Sequence, residues 1–583
     1  MKLYAIMFVL AFTTIVVAQG PPLPPVNFPV PEVLQKYAPV TEARLKNPEE
    51  SNWLMVTRTY DGWGYSPLKQ ITTGNVTKLK PVWSFSTGET RGHESAPVVN
   101  NGVMFVTTPM SQVIALDAKT GALLWRYRRV REAGTLVPHE TNRGVALYGD
   151  KVYFASGDAV LVALDAKTGK EAWTTTVADN KSAYYITLAP LVAGGKVMVG
   201  ASGGEFGIRG FIAAFDLETG KEQWRTYTIP APGEPGSETW PKGDQWKTGG
   251  GSVWVRGNYD PATNTAYWGT GNGGPWMGDQ RPGDNLYIAS TLALDVATGK
   301  IKGHFQYTPN ESFDWDEVSP PLVVDYRRNG QMVKGLIDVA RNGYIYFLDR
   351  GDGGAITFVD GKPYVLQTVF KGLDPKTGRP DIDPEHKPST GHENVPICPS
   401  ISGGRNWPPV SFNPETRLLY IPANNNMCST LTGLPAVYTA GRGYTGVRMG
   451  PQTPTPNATQ VGELQAWNVD TQQKVWTSAV GLTVNWGGVL TTAGGLVFNG
   501  GTADRKIHAF DAKTGKMLWD FPLNSGVIAP PSTFTVDGKQ YLALNVGFGG
   551  DARGVQGALA RAFPGQTPTE VPEGGAVWVF TLE

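Results

Sequence analysis

Cysteine is nearly absent: 583 residues contain two, Cys398 and Cys428. That excludes a cysteine-dense scaffold, and no C-x-x-C-H run exists to attach a haem covalently. In an oxidising compartment the two are expected to pair, with a free reactive pair as the other reading. Closing a loop of about thirty residues would stabilise the chain by roughly 3–4 kcal/mol on the chain-entropy account. Charge imbalance is missing too. Lys and Arg number 51, matched by 51 Asp and Glu, so no basic surface points to nucleic acid. Charged residues make up only 17% of the chain, a low share. Beyond the N-terminus no apolar run is long enough to cross a bilayer, so no membrane span is expected.

The N-terminus itself reads as an export signal over residues 1–18. Lys2 supplies the positive start, Ile6 to Val17 is mostly apolar but short, and Val16 and Ala18 are small enough for cleavage before Gln19. A buried N-terminal element is the alternative. No cysteine stands at the end of this segment, so no lipid anchor is expected there. The expectation is a periplasmic protein whose residues 19–583 form one domain.

What the chain has in quantity is Gly (72), Pro (45) and Trp (18), a composition suited to many short strands and tight turns. One phrase recurs. Ala115-Leu116-Asp117-Ala118-Lys119-Thr120-Gly121 is followed by Trp125. The same pattern starts at Ala163, Ala214 and Ala509, with Trp173, Trp224 and Trp519 behind it. Degenerate copies lie at Ala293-Leu294-Asp295 (Gly303 in the Trp place), at Leu348-Asp349, and at Ala466-Trp467-Asn468 with Trp476. Each reads as a hairpin: Asp bonds backbone amides, Gly takes positive φ, and Trp fills the space between sheets. The first three copies are spaced by roughly fifty residues, the length of a four-stranded propeller blade. Counting the gaps predicts an all-β propeller of eight blades, with seven as the alternative. The last strand, Gly574 to Thr581, is expected to share a blade with the region around Pro81 to Phe85. Residues 19–50 are expected to cross the outside. Residues 225–290 and 370–460 read as long loops on the functional face.

The stretch Asn310-Glu311-Ser312-Phe313-Asp314-Trp315-Asp316-Glu317 carries the strongest chemical signal. In an extended segment Asp314 and Asp316 would aim at one point. Two carboxylates there repel unless a cation or a shared proton holds them. A solvated acidic loop is the plain reading of a D-x-D taken alone.

The A-x-D-x-x-T-G-x-x-x-W phrase resembles the blade motif of quinoprotein alcohol dehydrogenases, propellers that bind pyrroloquinoline quinone (PQQ) and a metal ion on the central axis. Further matches follow in order: Trp83 to Gly88, Arg91-Gly92-His93-Glu94, Ser202 to Gly210, Gly249 to Trp254, Gly269-Thr270-Gly271-Asn272 and Ala340-Arg341-Asn342-Gly343. The resemblance implies a metal set of Glu205, Asn272 and Asp314, with Asp314 also the catalytic base. Arg341 is implied as donor to the quinone oxygens, and Trp254 as the surface on which the PQQ ring lies. Glu94, Arg143, Thr187, Ser202, Gly203, Gly204, Ser252, Asn425 and Trp486 are implied as further PQQ contacts. Asp316 occupies the place where lanthanide-type relatives carry a fourth protein ligand. Glu205, Asp314 and Asp316 together bring three negative charges, which suits a trivalent ion better than a divalent one. The expected metal is a lanthanide, with calcium second and Asp316 turned to solvent as the competing reading.

Two places depart from the family. Many relatives have adjacent cysteines where this chain has Val137-Pro138, and the usual Trp of the catalytic segment is Phe313. With no haem motif, electrons would leave to a separate cytochrome c. The expected activity is alcohol oxidation. A non-catalytic protein-binding propeller is the alternative. Substrate identity stays open, as does oligomeric state, a homodimer being one option.

Overall fold

In a computed structural model, residues 30–351, 353–568 and 570–583 are described; the expected export signal lies outside them. Eight blade-type sheets of four or five strands dominate. One runs Val98–Asn100, Val103–Thr108, Gln112–Asp117 and Leu123–Arg128, each strand antiparallel to the next. Its two inner strands are buried almost throughout, while the outermost alternates between covered and exposed. The sequence dictates this: Val-Ile-Ala-Leu runs suit a strand covered on both faces, and Leu-Trp-Arg-Tyr-Arg suits one covered on a single face.

The repeated phrase does what its chemistry allows. Asp117 Oδ1 accepts from the Lys119 and Thr120 amides, both at 2.9 Å, and Gly121 turns the chain at φ 75°. A Cβ at Gly121 would meet the Trp83 ring at 2.7 Å, so Gly is also what lets the neighbouring indole dock. Trp125 Nε1 donates to Ala166 O at 2.9 Å, Trp173 Nε1 to Leu217 O at 3.2 Å and Trp224 Nε1 to Val296 O at 3.0 Å. Each tryptophan thus leaves its own sheet and docks on the turn of the next. That sheet-to-sheet succession is the packing of a propeller.

Leu79–Ser86 pairs antiparallel with Ala576–Leu582, so the two ends of the chain share a blade as expected. The loop reading of 225–290 and 370–460 needs correction. Asn258–Asp260 and Thr265–Gly269 are blade strands within the first segment. In the second, Ser411–Asn413 and Leu418–Asn424 belong to another blade. Their turns carry the phrase in altered form, Asp260-Pro261-Ala262-Thr263-Asn264 and Asn413-Pro414-Glu415-Thr416-Arg417, with Asp260 or Asn413 still accepting from the turn amides. Conversely, Asp374 to Gly378 carries that phrase but turns a two-stranded hairpin, Phe370–Leu373 with Pro380–Ile382.

Two additions bear on the site. Val395–Ile397, Met427–Gly433 and Val447–Met449 form a small separate sheet, and the Cys398–Cys428 disulfide links its first two strands. Gly550–Ala562 is a helix of 13 residues. No helix among the described residues is long and apolar enough to cross a membrane.

Candidate active site

A cavity of about 440 Å³ is lined by residues from many blades, among them Arg143, Thr187, Ser202, Gly203, Glu205, Trp254, Asp314, Asp316 and Arg341. These are widely separated in sequence, and the ring brings them together. Thr445, Met449 and Gln452 from beside the small sheet, with Asp551 and Val555 from the helix, complete the wall.

Asp314 and Asp316 do reach one cavity, but not along a strand. The segment is irregular, and Asp314 adopts φ 64°. A left-handed conformation is costly for a non-glycine residue and persists only where surrounding contacts impose it. Those contacts are visible. Phe313 and Trp315 stack with centroids 4.5 Å apart inside an apolar cluster, and Glu311 Oε1 accepts from the Trp315 amide at 2.9 Å. The aromatics anchor the segment and leave Asp314, between them, and Asp316, just after Trp315, facing the cavity.

Asp316 is not turned to solvent. It is 4% exposed, Trp254 Nε1 donates to its Oδ2 at 2.6 Å, and the Asn272 amide donates to its Oδ1. The Asn272 carboxamide satisfies all its neighbours in one orientation. Its nitrogen then donates to Glu205 Oε1 at 3.2 Å and Asp316 Oδ1 at 2.9 Å, and its oxygen accepts from Trp276 Nε1 at 2.6 Å. Gly204 permits this approach, since a Cβ there would lie 2.9 Å from the end of the Asn272 carboxamide that faces Glu205.

Burial, and then the nearby Asp316 charge, pushes Glu205 up to about 7. Burial raises Asp314 well above the ordinary carboxylate range, with Asp316 and Glu205 adding to the rise against the lowering effect of Arg341. Burial also raises Asp316. These shifts mark carboxylates short of positive charge. Among the described residues, no group of three or more His, Cys, Asp or Glu side chains is placed to hold a metal ion by itself. The structure draws together Glu205, Asn272 and Asp316, and places Asp314 on the same cavity wall. Oxygen donors of this kind fit a hard cation.

The opposite charges lie alongside. Arg143 Nη2 is 2.8 Å from Glu94 Oε2, and its Nη1 donates to Thr187 Oγ1 at 2.6 Å. Its guanidinium sits 4.7 Å from the Trp254 ring centre and 4.8 Å from that of Trp407. Ser202 Oγ is 3.3 Å from Thr187 Oγ1. Arg341 Nη1 donates to Asp314 O at 2.7 Å and lies 4.0 Å from Asp316 Oδ2. Arg143 Nε, Arg341 Nε and Ser252 Oγ are buried without a hydrogen-bond partner. Unpaired buried donors beside a large indole fit a flat polyanion such as PQQ, whose carboxylates and quinone oxygens are acceptors.

Asn425 and Trp486, like Glu94, Gly204, Ser252 and Asn272, are not among the residues lining this cavity. Asn425 is committed elsewhere, accepting from the Leu366 amide at 2.9 Å and donating to Glu463 at 3.2 Å. Trp486 packs in an apolar cluster with Val555 of the helix. Where relatives carry adjacent cysteines, Val137-Pro138 leads into His139, which lines the cavity and stacks on Tyr185 at 6.2 Å between centroids. His139, Tyr185, Trp276 and Asp551 also line the cavity, outside the motifs that mark the other site residues. Trp276 alone left a signal, four residues after Asn272.

The family profile described as "Glucose/ethanol/alcohol dehydrogenase, beta-propeller domain", a PQQ profile, matches residues 53–372 and 375–542. The chain belongs to the PQQ-dependent alcohol dehydrogenase family. It is 39% identical over 567 residues to quinoprotein alcohol dehydrogenase PedH of Pseudomonas putida, covering 92% of each chain. It is 36% identical over 575 residues to the lanthanide-dependent methanol dehydrogenase of Methylacidiphilum fumariolicum, covering 92% of this chain and 93% of that one. Among solved structures, a europium-containing methanol dehydrogenase superposes with a TM-score of 0.86 at 36% identity, covering 93% of this chain and all of that one.

Proposed function

We propose that this chain is a periplasmic dehydrogenase that oxidises an alcohol to an aldehyde or ketone with PQQ and a lanthanide ion, calcium being the second choice of metal. The observation that carries the reading is the convergence of Glu205, Asn272 and Asp316 beside Trp254, with Asp314 on the same wall. PQQ, when bound, supplies an electrophilic quinone that takes the hydride leaving the alcohol carbon. Glu205, Asn272, Asp314 and Asp316 would hold the cation, which supplies Lewis acidity.

Asp314 accepts the hydroxyl proton as the carbon–hydrogen bond breaks, so the alcohol's proton ends on the protein. Its carboxylate faces the cavity while its backbone carbonyl fixes Arg341, so base and cation keep a set spacing. Arg341 Nε is buried without a hydrogen-bond partner and would serve an oxygen brought against it. Trp254 offers the flat face, and Arg143, Thr187, Ser202 and Ser252 offer donors to carboxylates, with Gly203 and Gly204 allowing close approach. Three carboxylates favour a trivalent ion over a divalent one, although the Arg341 guanidinium offsets part of their charge. Electrons then pass to a separate cytochrome c.

The test is dye-linked alcohol oxidation by purified protein supplied with PQQ and either lanthanum or calcium. Turnover that requires PQQ and is stronger with lanthanum supports the reading. Absence of both turnover and PQQ binding under either metal supports a non-catalytic propeller instead.

A further inference from the structure

Asn272 faces two neighbours with opposite demands. Toward Glu205 and Asp316 it must present hydrogens while no cation is there and its oxygen once one is bound. On its other side, Trp276 Nε1 lies 2.6 Å from the far end of the carboxamide. An indole nitrogen can only donate. With the Asn272 oxygen toward Trp276, all three contacts are hydrogen bonds. With the amide turned over, an NH₂ group meets an indole N–H and that bond is lost.

Neither partner has room to retreat as a whole. Asn272 is fully buried, and Gly204 packs against it. The Trp276 backbone is held from both sides: its amide donates to Thr445 O at 2.9 Å, and its carbonyl accepts from Arg281 Nη2 at 3.0 Å. The freedom left is in the indole ring, which lines the cavity together with Asp314.

We infer that Trp276 is a positioning residue that competes with the cation for Asn272. This rests on the cation site proposed above. In the cation-free protein, the indole holds the amide in the orientation that cannot ligate. Cation binding turns the amide and frees the indole N–H, which becomes available to an oxygen atom in the cavity. Loading the ion and preparing that wall for an alcohol or water oxygen are therefore one event.

The experiment is calorimetric titration of terbium into the full-length protein, stripped of cation by chelation and supplied with PQQ. Trp276→Phe removes the competing donor and should bind terbium about two- to tenfold more tightly, the range set by one net hydrogen bond. Trp276→Leu, equally without a donor, serves if the Phe variant does not fold. In Asn272→Asp both ends of the side chain are oxygen and no turning is needed, so adding Trp276→Phe should change affinity less than about twofold. Unchanged or weaker binding in the donor-free variants, or an equal gain in the Asn272→Asp background, overturns the inference. Glu205→Ala separates this failure from failure of the site. It should weaken terbium binding at least about tenfold, and if it is neutral the cation site itself is wrong.

Discussion

Trp254 donates its indole N–H to Asp316 Oδ2 at 2.6 Å, joining the flat wall of the cavity to the second carboxylate of the acidic pair. The bond gives Asp316 a fixed direction. Its other oxygen, Oδ1, lies toward Asn272, whose carboxamide also reaches Glu205. Asp316 is thereby a buried member of the acidic cluster at the cavity rather than a surface charge.

Asp316→Ala should therefore lower lanthanum-supported turnover at least about tenfold more than calcium-supported turnover, because it removes one of three negative charges from the group. Steady-state rates with each metal check this. Equal loss with both would contradict the assignment of the trivalent ion.

Asp314→Asn should reduce kcat by about a hundredfold or more, the range for loss of a general base. PQQ should still bind, since Arg143, Trp254 and Thr187 are untouched. Absorbance titration of PQQ beside the rate measurement separates the two effects. A near-normal rate would mean that another group takes the proton.

Breaking the Cys398–Cys428 disulfide should lower stability by about 2–5 kcal/mol. It closes a loop of sequence separation 30 that ties together the strands of the small sheet. Ile401 and Ser402, just past Cys398, line the cavity. A double Cys→Ser variant should show a lower Tm and a raised KM for the alcohol.

His93 should make stability fall in mild acid. It is buried, with Nε2 2.8 Å from Thr87 Oγ1 and Nδ1 2.7 Å from Arg91 O. Burial lowers its pKa from 6.5 to about 4. The unfolded chain therefore takes up the proton first, and the neutral ring's contribution is complete above pH 6.5 and lost as pH drops toward 4. The slope approaches about 1.4 kcal/mol per pH unit. Denaturant unfolding at pH 7 and pH 5 should show a smaller loss in His93→Gln than in wild type.

The blades with intact Asp-x-x-Thr-Gly turns were legible because local chemistry alone forms that turn. The blade holding Leu418–Asn424 was legible only in part: Ala466 to Trp476 marked its outer strands, while at its other turn Asn413 and Arg417 stand in the Asp and Gly places, although Asn413 Oδ1 accepts from the Glu415 and Thr416 amides in the same way. Asp374 to Gly378 shows that a turn phrase specifies a hairpin and not its place in the ring. At the site, Glu205, Asn272 and the acidic pair were legible through motif resemblance, and the ring brings them together. The left-handed backbone at Asp314 was not legible, because it follows from Phe313 and Trp315 packing into a cluster built by distant segments. The same holds for His139, Tyr185 and Asp551, which reach the cavity through tertiary packing without a local pattern.

The most direct measurement is anomalous diffraction from crystals of the protein grown with PQQ and europium. The account predicts one strong peak within coordinating distance of Glu205, Asn272, Asp314 and Asp316. A cavity containing PQQ but no peak among those four residues, or a peak elsewhere, would contradict it.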